Sequence, residues 1–294
     1  MEFASPPLVR PDAAIRLIAP SGPFDRERFE AGVAFLRERY EVRYDDPSIH
    51  SRDGFLAGDD ERRVRELRDA LADPDAAAIV AVRGGYGATR ILGHLEVAEI
   101  RRANKWLVGF SDLTALHALW GRAALRSIHG PMVAWLGAAD DLARAQWVAA
   151  LEGTHPPIGE LSSLGREGAA EGHLVGGNLA VLASLVGTPY EPPLTGAILF
   201  LEEVAEAPYR VDRMLTTLRH AGWFERVHGV LLGEFTGCVG KHEVDVQRVL
   251  ADRLGSLDRV VLSGVASGHG RRNRPLPLGA RTRLDARTGT ASFL

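Results

Sequence analysis

Residues 76–92 read AAAIVAVRGGYGATRIL: an unbroken apolar run, a glycine-rich turn, then a helical pattern. A run this short and this apolar, closed by glycines, predicts a strand buried on both faces, as in a parallel sheet. Working outward, WLVGF (106–110) is a second such strand, followed by the helical SDLTALHALWGRAAL. Upstream, AIRLIAPSG (14–22) reads as a strand ending in a turn. Two helices lie between it and the first run. DRERFEAGVAFLRERY puts Phe29, Val33 and Leu36 on one face, and DDERRVRELRDALADPD does the same with Val64, Leu67 and Leu71 before stopping at Asp73-Pro74. Buried strands alternating with helices predict βαβ units and an α/β fold with a mostly parallel sheet.

The stretch 151–171, LEGTHPPIGELSSLGREGAAE, is rich in Gly, Pro, Ser and charge. It reads as a linker between an N-terminal domain (1–150) and a C-terminal domain (172–294). The second half is more mixed. GAILFLEE, VHGVLLGEF and RVVLSGVAS are strand patterns, YRVDRMLTTLRHAGWF is an amphipathic helix, and LGARTRLDARTGTASFL predicts a terminal hairpin turning at Thr288-Gly289.

Composition narrows the function classes. The chain has 294 residues, 46% hydrophobic and 25% charged, with a net charge of -3. That balance argues against a dedicated binder of nucleic acid or of an anionic membrane. One cysteine, Cys238, cannot form an internal disulfide, and no Cys/His cluster has zinc-site spacing. The first twenty residues lack the apolar core of a secretory signal, and apolar stretches such as LAVLASLVG are too short to span a bilayer. The expectation is a cytoplasmic protein without a cofactor or a metal.

Ligands of open parallel sheets bind beyond the carboxyl ends of the strands, so three junctions matter: RGGYG, GFSD and SGHGRRN. Ser111 stands between a strand and a helix, where a hydroxyl can be exposed on a sharp turn near helix-terminal N–H groups. Serine is equally a preferred helix N-cap, and Asp112 would then be a first-turn acid. GFSD also lacks the second glycine of a G-x-S-x-G elbow. The glycines of RGGYG fit an anion nest, an oxyanion hole built on Gly84 or Gly85, or a plain tight turn, but no nucleotide-binding motif. His269, between glycines in a post-strand loop, suits a general base, and Arg271, Arg272 and Arg274 could hold a carboxylate. The acids at the end of GAILFLEE are Glu202 and Glu203; successive strand residues face opposite ways, so one of them faces the site. The order Ser, acid, His is that of α/β-hydrolases, although geometry defines a triad. His117 lies inside a helix pattern, and His129, His220, His228 and His242 have no motif around them.

Taken together, VRGGYGATRIL, LVGFSDLTALH, LVGGNLAVLASLVGTPY, LFLEEVAEAPYRVDRML and SGHG with LPLGARTRLD resemble the LD-carboxypeptidases, which trim murein peptides. That family also includes enzymes of self-immunity to the peptide-nucleotide antibiotic microcin C. The resemblance runs in order from about Ile15 to the C-terminus. It implies a metal-free serine peptidase with Ser111 as nucleophile, Glu202 as acid and His269 as base. It further implies oxyanion donors at the Gly85 and Asp112 amides. Asn178, Arg271 and Arg272 are candidates for the substrate carboxylate. The implied fold is a flavodoxin-like N-terminal domain, with helices on both faces of its sheet, plus a smaller β-rich C-terminal domain, commonly as a homodimer. Two departures stand out. SSLGREGAAEGH offers no aromatic residue to stack on a nucleobase, which favours the murein peptide as substrate over an aminoacyl-nucleotide. Glu202-Glu203 replaces the more usual Glu-Asp, leaving either carboxylate as the triad acid.

Overall fold

The computed structural model describes residues 2–240 and 244–294, and the chain divides into two compact units, Met1–Thr154 and His155–Leu294. His242 lies outside the described residues.

The first unit alternates strands and helices: β1 (Ala14–Ile18), α1 (Arg26–Arg37), β2 (Glu41–Arg43), α2 (Asp60–Ala72), β3 (Ala76–Ala81), β4 (Trp106–Gly109), α3 (Thr114–Arg122), β5 (Ser127–His129) and α4 (Asp141–Leu151). The strands pair in parallel in the order β5-β4-β3-β1-β2. The run 76–82 that reads as a buried strand is β3, inside this sheet. Asp25 and Asp59 open α1 and α2 by accepting the Arg28 and Arg62 amides, 2.8 and 2.7 Å away, which satisfies donors a helix start leaves orphaned. α2 ends where Asp73, in extended conformation, precedes Pro74, as the ring of a following proline demands. The core joins Ile15, Leu17, Val80 and Val108 of the sheet to Phe29, Val33 and Leu36 of α1. Each of these large side chains contributes about 1.5–3 kcal/mol by leaving water.

The second unit is built on a seven-stranded sheet of order β13-β12-β7-β8-β9-β10-β6. Its elements are β6 (Ser162–Ser163), β7 (Ala169–Asn178), α5 (Leu179–Leu185), β8 (Ile198–Val204), α6 (Pro208–His220), β9 (Gly229–Thr236), α7 (Val246–Leu254), β10 (Val260–Ser263), β11 (Leu276–Leu278), β12 (Arg281–Asp285) and β13 (Thr290–Phe293). The centre, β7 to β10, is parallel. β12 joins antiparallel to β7, and β12 and β13 form the terminal hairpin with Gly289 at φ +60. The stretch 151–171, which reads as a linker, holds the end of α4, β6 and the start of β7. Between Leu201 and Glu203 the β8–β9 register slips by one residue, because β9 carries an extra residue there. Among the described residues no helix is long and apolar enough to cross a membrane.

Candidate active site

β4 ends at Gly109, and the chain turns through Phe110 and Ser111 into a short 3-10 turn that leads into α3. Ser111 sits at φ +63. A capping serine holds extended backbone angles, so Ser111 is not the plain N-cap its sequence position allows. A left-handed serine costs roughly 1–2 kcal/mol, the kind of local strain found where a side chain must be aimed. The glycine turn after β3 lies against it. A Cβ built on Gly84 would fall 3.0 Å from the Ser111 Cβ and 3.2 Å from its Oγ, so any larger residue would crowd the serine and push it by a few tenths of an ångström. Gly85, exposed and at φ +111, continues the turn. The Asp112 amide lies 3.4 Å from the same Gly84 Cβ position. Serine hydroxyl, Asp112 amide and glycine turn are therefore gathered at the carboxyl ends of β3 and β4, all within the first unit.

The Asp112 side chain points inward and is buried. Its carboxylate accepts the Ala88 amide at 2.8 Å. Burial pushes its pKa up, opposed by that amide and by the Arg63 cation. Beneath the turn, His117 Nε2 lies 2.8 Å from the Gly109 carbonyl and Nδ1 lies 2.8 Å from the Ser127 hydroxyl. Burial lowers the pKa of this ring to about 3. The ring is thus neutral; Nε2 donates to the carbonyl and Nδ1 accepts from the hydroxyl, which anchors the end of β4 from below.

In the second unit, His269 Nδ1 lies 2.8 Å from Glu202 Oε2. Glu202 is fully buried, whereas His269 is partly exposed. Glu203 is used otherwise. It accepts from Asn178 Nδ2 at 2.9 Å, from the Ala180 amide at 2.7 Å and from its own neighbour, the Val204 amide, at 2.8 Å. These bonds close the first turn of α5, where Asn178 Oδ1 also caps by accepting the Val181 amide. Asn178 is thus buried and engaged with protein groups, while Arg271 and Arg272 are exposed beside His269. Gly268 donates to the Asn273 side chain at 3.1 Å and Gly270 to Glu234 Oε2 at 3.0 Å, so the histidine loop is tied on both sides of His269. Burial and the nearby Glu202 charge push the Glu234 pKa up, opposed by the Gly270 amide and His269. Among the described residues no group of three or more His, Cys, Asp or Glu is arranged to hold a metal ion.

Comparison with known proteins places the chain in a family. Residues 15–130 match the LD-carboxypeptidase N-terminal domain and residues 171–284 the LD-carboxypeptidase C-terminal domain. A provisionally named carboxypeptidase of Synechocystis sp. is 36% identical, over 99% of this chain and 98% of its own. The chain belongs to the LD-carboxypeptidase family. The murein tetrapeptide carboxypeptidase of Pseudomonas aeruginosa is 31% identical over 93% of this chain and 94% of its own length. Among solved structures, the muramoyltetrapeptide carboxypeptidase of Oxalobacter formigenes superposes with a TM-score of 0.86 at 29% identity, covering 95% of this chain and 97% of the other.

Three contributors in this LD-carboxypeptidase are silent in its sequence. Glu234 is a lone acid in an otherwise apolar strand, with no motif to mark it. Arg63 stands in the charged run DDERRVRELRD with no motif around it, yet it is completely buried. His117 has only its helical setting, and its ring partners come from β4 and β5. For Glu234 and His117 the available signal is negative: each is a polar residue inside an apolar pattern, and such residues need partners.

Proposed function

We propose that this chain is a serine-type LD-carboxypeptidase that releases the terminal D-alanine of murein tetrapeptides during cell-wall recycling. The observation that carries the reading is the left-handed Ser111, set against a glycine turn at the carboxyl ends of two parallel strands. The His269–Glu202 hydrogen bond and the naming of relatives as murein tetrapeptide carboxypeptidases support it.

In this mechanism Ser111 Oγ attacks the carbonyl of the penultimate residue, and His269 Nε2 takes the hydroxyl proton. Glu202 accepts from Nδ1–H, which fixes the tautomer and stabilises the imidazolium that forms. The Gly85 and Asp112 amides bind the developing oxyanion, each worth about 3–4 kcal/mol in other hydrolases. His269 then protonates the departing D-alanine amine, and water clears the acyl-enzyme. Arg271 and Arg272, exposed and cationic, are the groups proposed to meet the free carboxylate of the substrate, with Asn178 a lesser candidate because its amide already serves Glu203 and α5. No cofactor or metal enters any step. The same reading makes the enzyme a cytoplasmic homodimer with no nucleic-acid or membrane partner.

The test is D-alanine release from a murein tetrapeptide, run beside an aminoacyl-sulfamoyl-adenosine. The expected result is turnover of the tetrapeptide and at least a 10⁴-fold loss in Ser111→Ala, since removing the nucleophile of another serine hydrolase costs on the order of 10⁶ in kcat. Equal release by the variant would remove Ser111 from the mechanism. Turnover of the nucleotide alone would replace the substrate.

A further inference from the structure

We propose that Arg63 and the Asp112 carboxylate form a buried ionic clamp on the single peptide group between Gly87 and Ala88, making Arg63 a positioning residue for the glycine turn beside Ser111. The inference rests on the reading of Ser111 as nucleophile, but its geometry stands within the first unit alone.

Arg63 lies in the first turn of α2 and is fully buried. Its Nη1 donates to the Gly87 carbonyl at 2.8 Å and to the Pro20 carbonyl at 2.6 Å, and its Nη2 pairs with Asp60. The Asp112 Oδ2 accepts the Ala88 amide at 2.8 Å. The Gly87 carbonyl and the Ala88 amide are opposite ends of one peptide group. A cation therefore grips its negative end and an anion its positive end. Rotating that peptide by half a turn would set carbonyl against carboxylate and amide against guanidinium, and burial makes each mismatch costlier than it would be in water.

Such a clamp answers a problem the turn creates. Glycines at positive φ let a backbone approach its neighbour, but they also leave it free to adopt other conformations. Gly87 is at φ +135, and a Cβ there would fall 2.6 Å from Arg63 Nη1, so the glycine makes room for the guanidinium that restrains it. Arg63 reaches the other end of the turn as well. Through Pro20 it holds the loop after β1, and in that loop the Gly22 amide donates to the Gly84 carbonyl at 3.0 Å. Gly84 is the residue packed on Ser111. Asp112 thus serves the turn twice, with its amide near Gly84 and its buried carboxylate on the Ala88 amide.

The test compares wild type with Asp112→Asn, Arg63→Lys and Arg63→Ala. Asp112→Asn is nearly isosteric and keeps an oxygen for the Ala88 amide while losing the charge. Arg63→Lys keeps the charge but loses the fork. Two readouts are taken. Amide hydrogen exchange over residues 84–88 should quicken about 10-fold or more in each variant, with exchange elsewhere in the β3–β4 region unchanged. For tetrapeptide hydrolysis, kcat should fall on the order of 10²-fold with KM within about threefold, as for a misplaced catalytic group, and millimolar guanidinium should restore part of the Arg63→Ala loss. Unchanged exchange at 84–88 in folded Asp112→Asn and Arg63→Lys would overturn the clamp, whatever the activity. So would unaltered kcat in a wild-type-active background. Absence of tetrapeptide turnover by the wild type would instead overturn the functional reading, with the exchange result still deciding the clamp.

Discussion

The two units hold the side chains proposed to react by opposite means. Around Ser111 the work is done by backbone: a left-handed residue, a glycine turn touching it, and peptide groups pinned by buried Arg63, Asp112 and His117. Around His269 it is done by side chains, with Glu202 on the ring, Asn273 and Glu234 on the flanking amides, and Glu203 directed away to α5. A backbone-built site leaves little room for added atoms but leaves a signature in glycines and turns. A side-chain site depends on which way a few carboxylates point, and that is written in strand phase alone.

The largest effect expected on the side-chain half separates the two glutamates. Glu202→Gln should lower kcat by about 10⁴-fold, as removal of an orienting carboxylate does in other triads. Glu203→Gln should leave kcat within several-fold and instead lower stability by about 1.5–3 kcal/mol, through loss of the charged acceptor shared by the Asn178, Ala180 and Val204 N–H groups. Urea unfolding and steady-state kinetics on the pair give the answer, and reversed outcomes would exchange the roles assigned to them. A smaller effect probes the loop. Gly270→Ala would put a Cβ 2.2 Å from the Glu234 carboxylate oxygens. That carboxylate must swing aside and release the Gly270 amide, for a loss in kcat on the order of 10-fold. Adding Glu234→Ala should recover part of it, and a double variant no better than the single would deny Glu234 its hold on the loop.

The backbone half has a pH signature. With its pKa lowered to about 3, His117 stays neutral in the folded chain, whereas an exposed ring protonates below about 6.5. Between those values the unfolded chain binds the additional proton, so stability falls as pH drops from about 6.5 towards 3, by up to about 1.4 kcal/mol per pH unit. His117→Gln should flatten the pH dependence of unfolding free energy by nearly one proton in that window. An unchanged slope would mean the ring is not the neutral anchor described.

The same contrast sets what could be read in advance. β3 and β4 were legible because their apolar runs are unbroken, and RGGYG and GFSD mark their ends. β2 and β5 were not, since three residues are too few for a period to show. β7 escaped because AAEGHLVGGN is glycine-rich and only its latter half is buried. Strand phase narrowed the acid to Glu202 or Glu203, but the extra residue in β9 that offsets the register beside Glu202 has no sequence signal. Arg63 was hidden for a different reason: a buried guanidinium is identified by the carbonyls it meets, and these come from loops distant along the chain.

The strain at Ser111 has a bearing on protein engineering. Asp12, Asn104, Ala124, Glu160 and Ala205 share its positive φ, and stabilisation schemes commonly relieve such positions by inserting glycine. Applied by backbone angle alone, the rule would treat Ser111 as one more defect to repair. With Ser111 as the proposed nucleophile, a well-folded but inert protein is the expected product, so a library built on this scaffold needs that one position fixed before the others are varied.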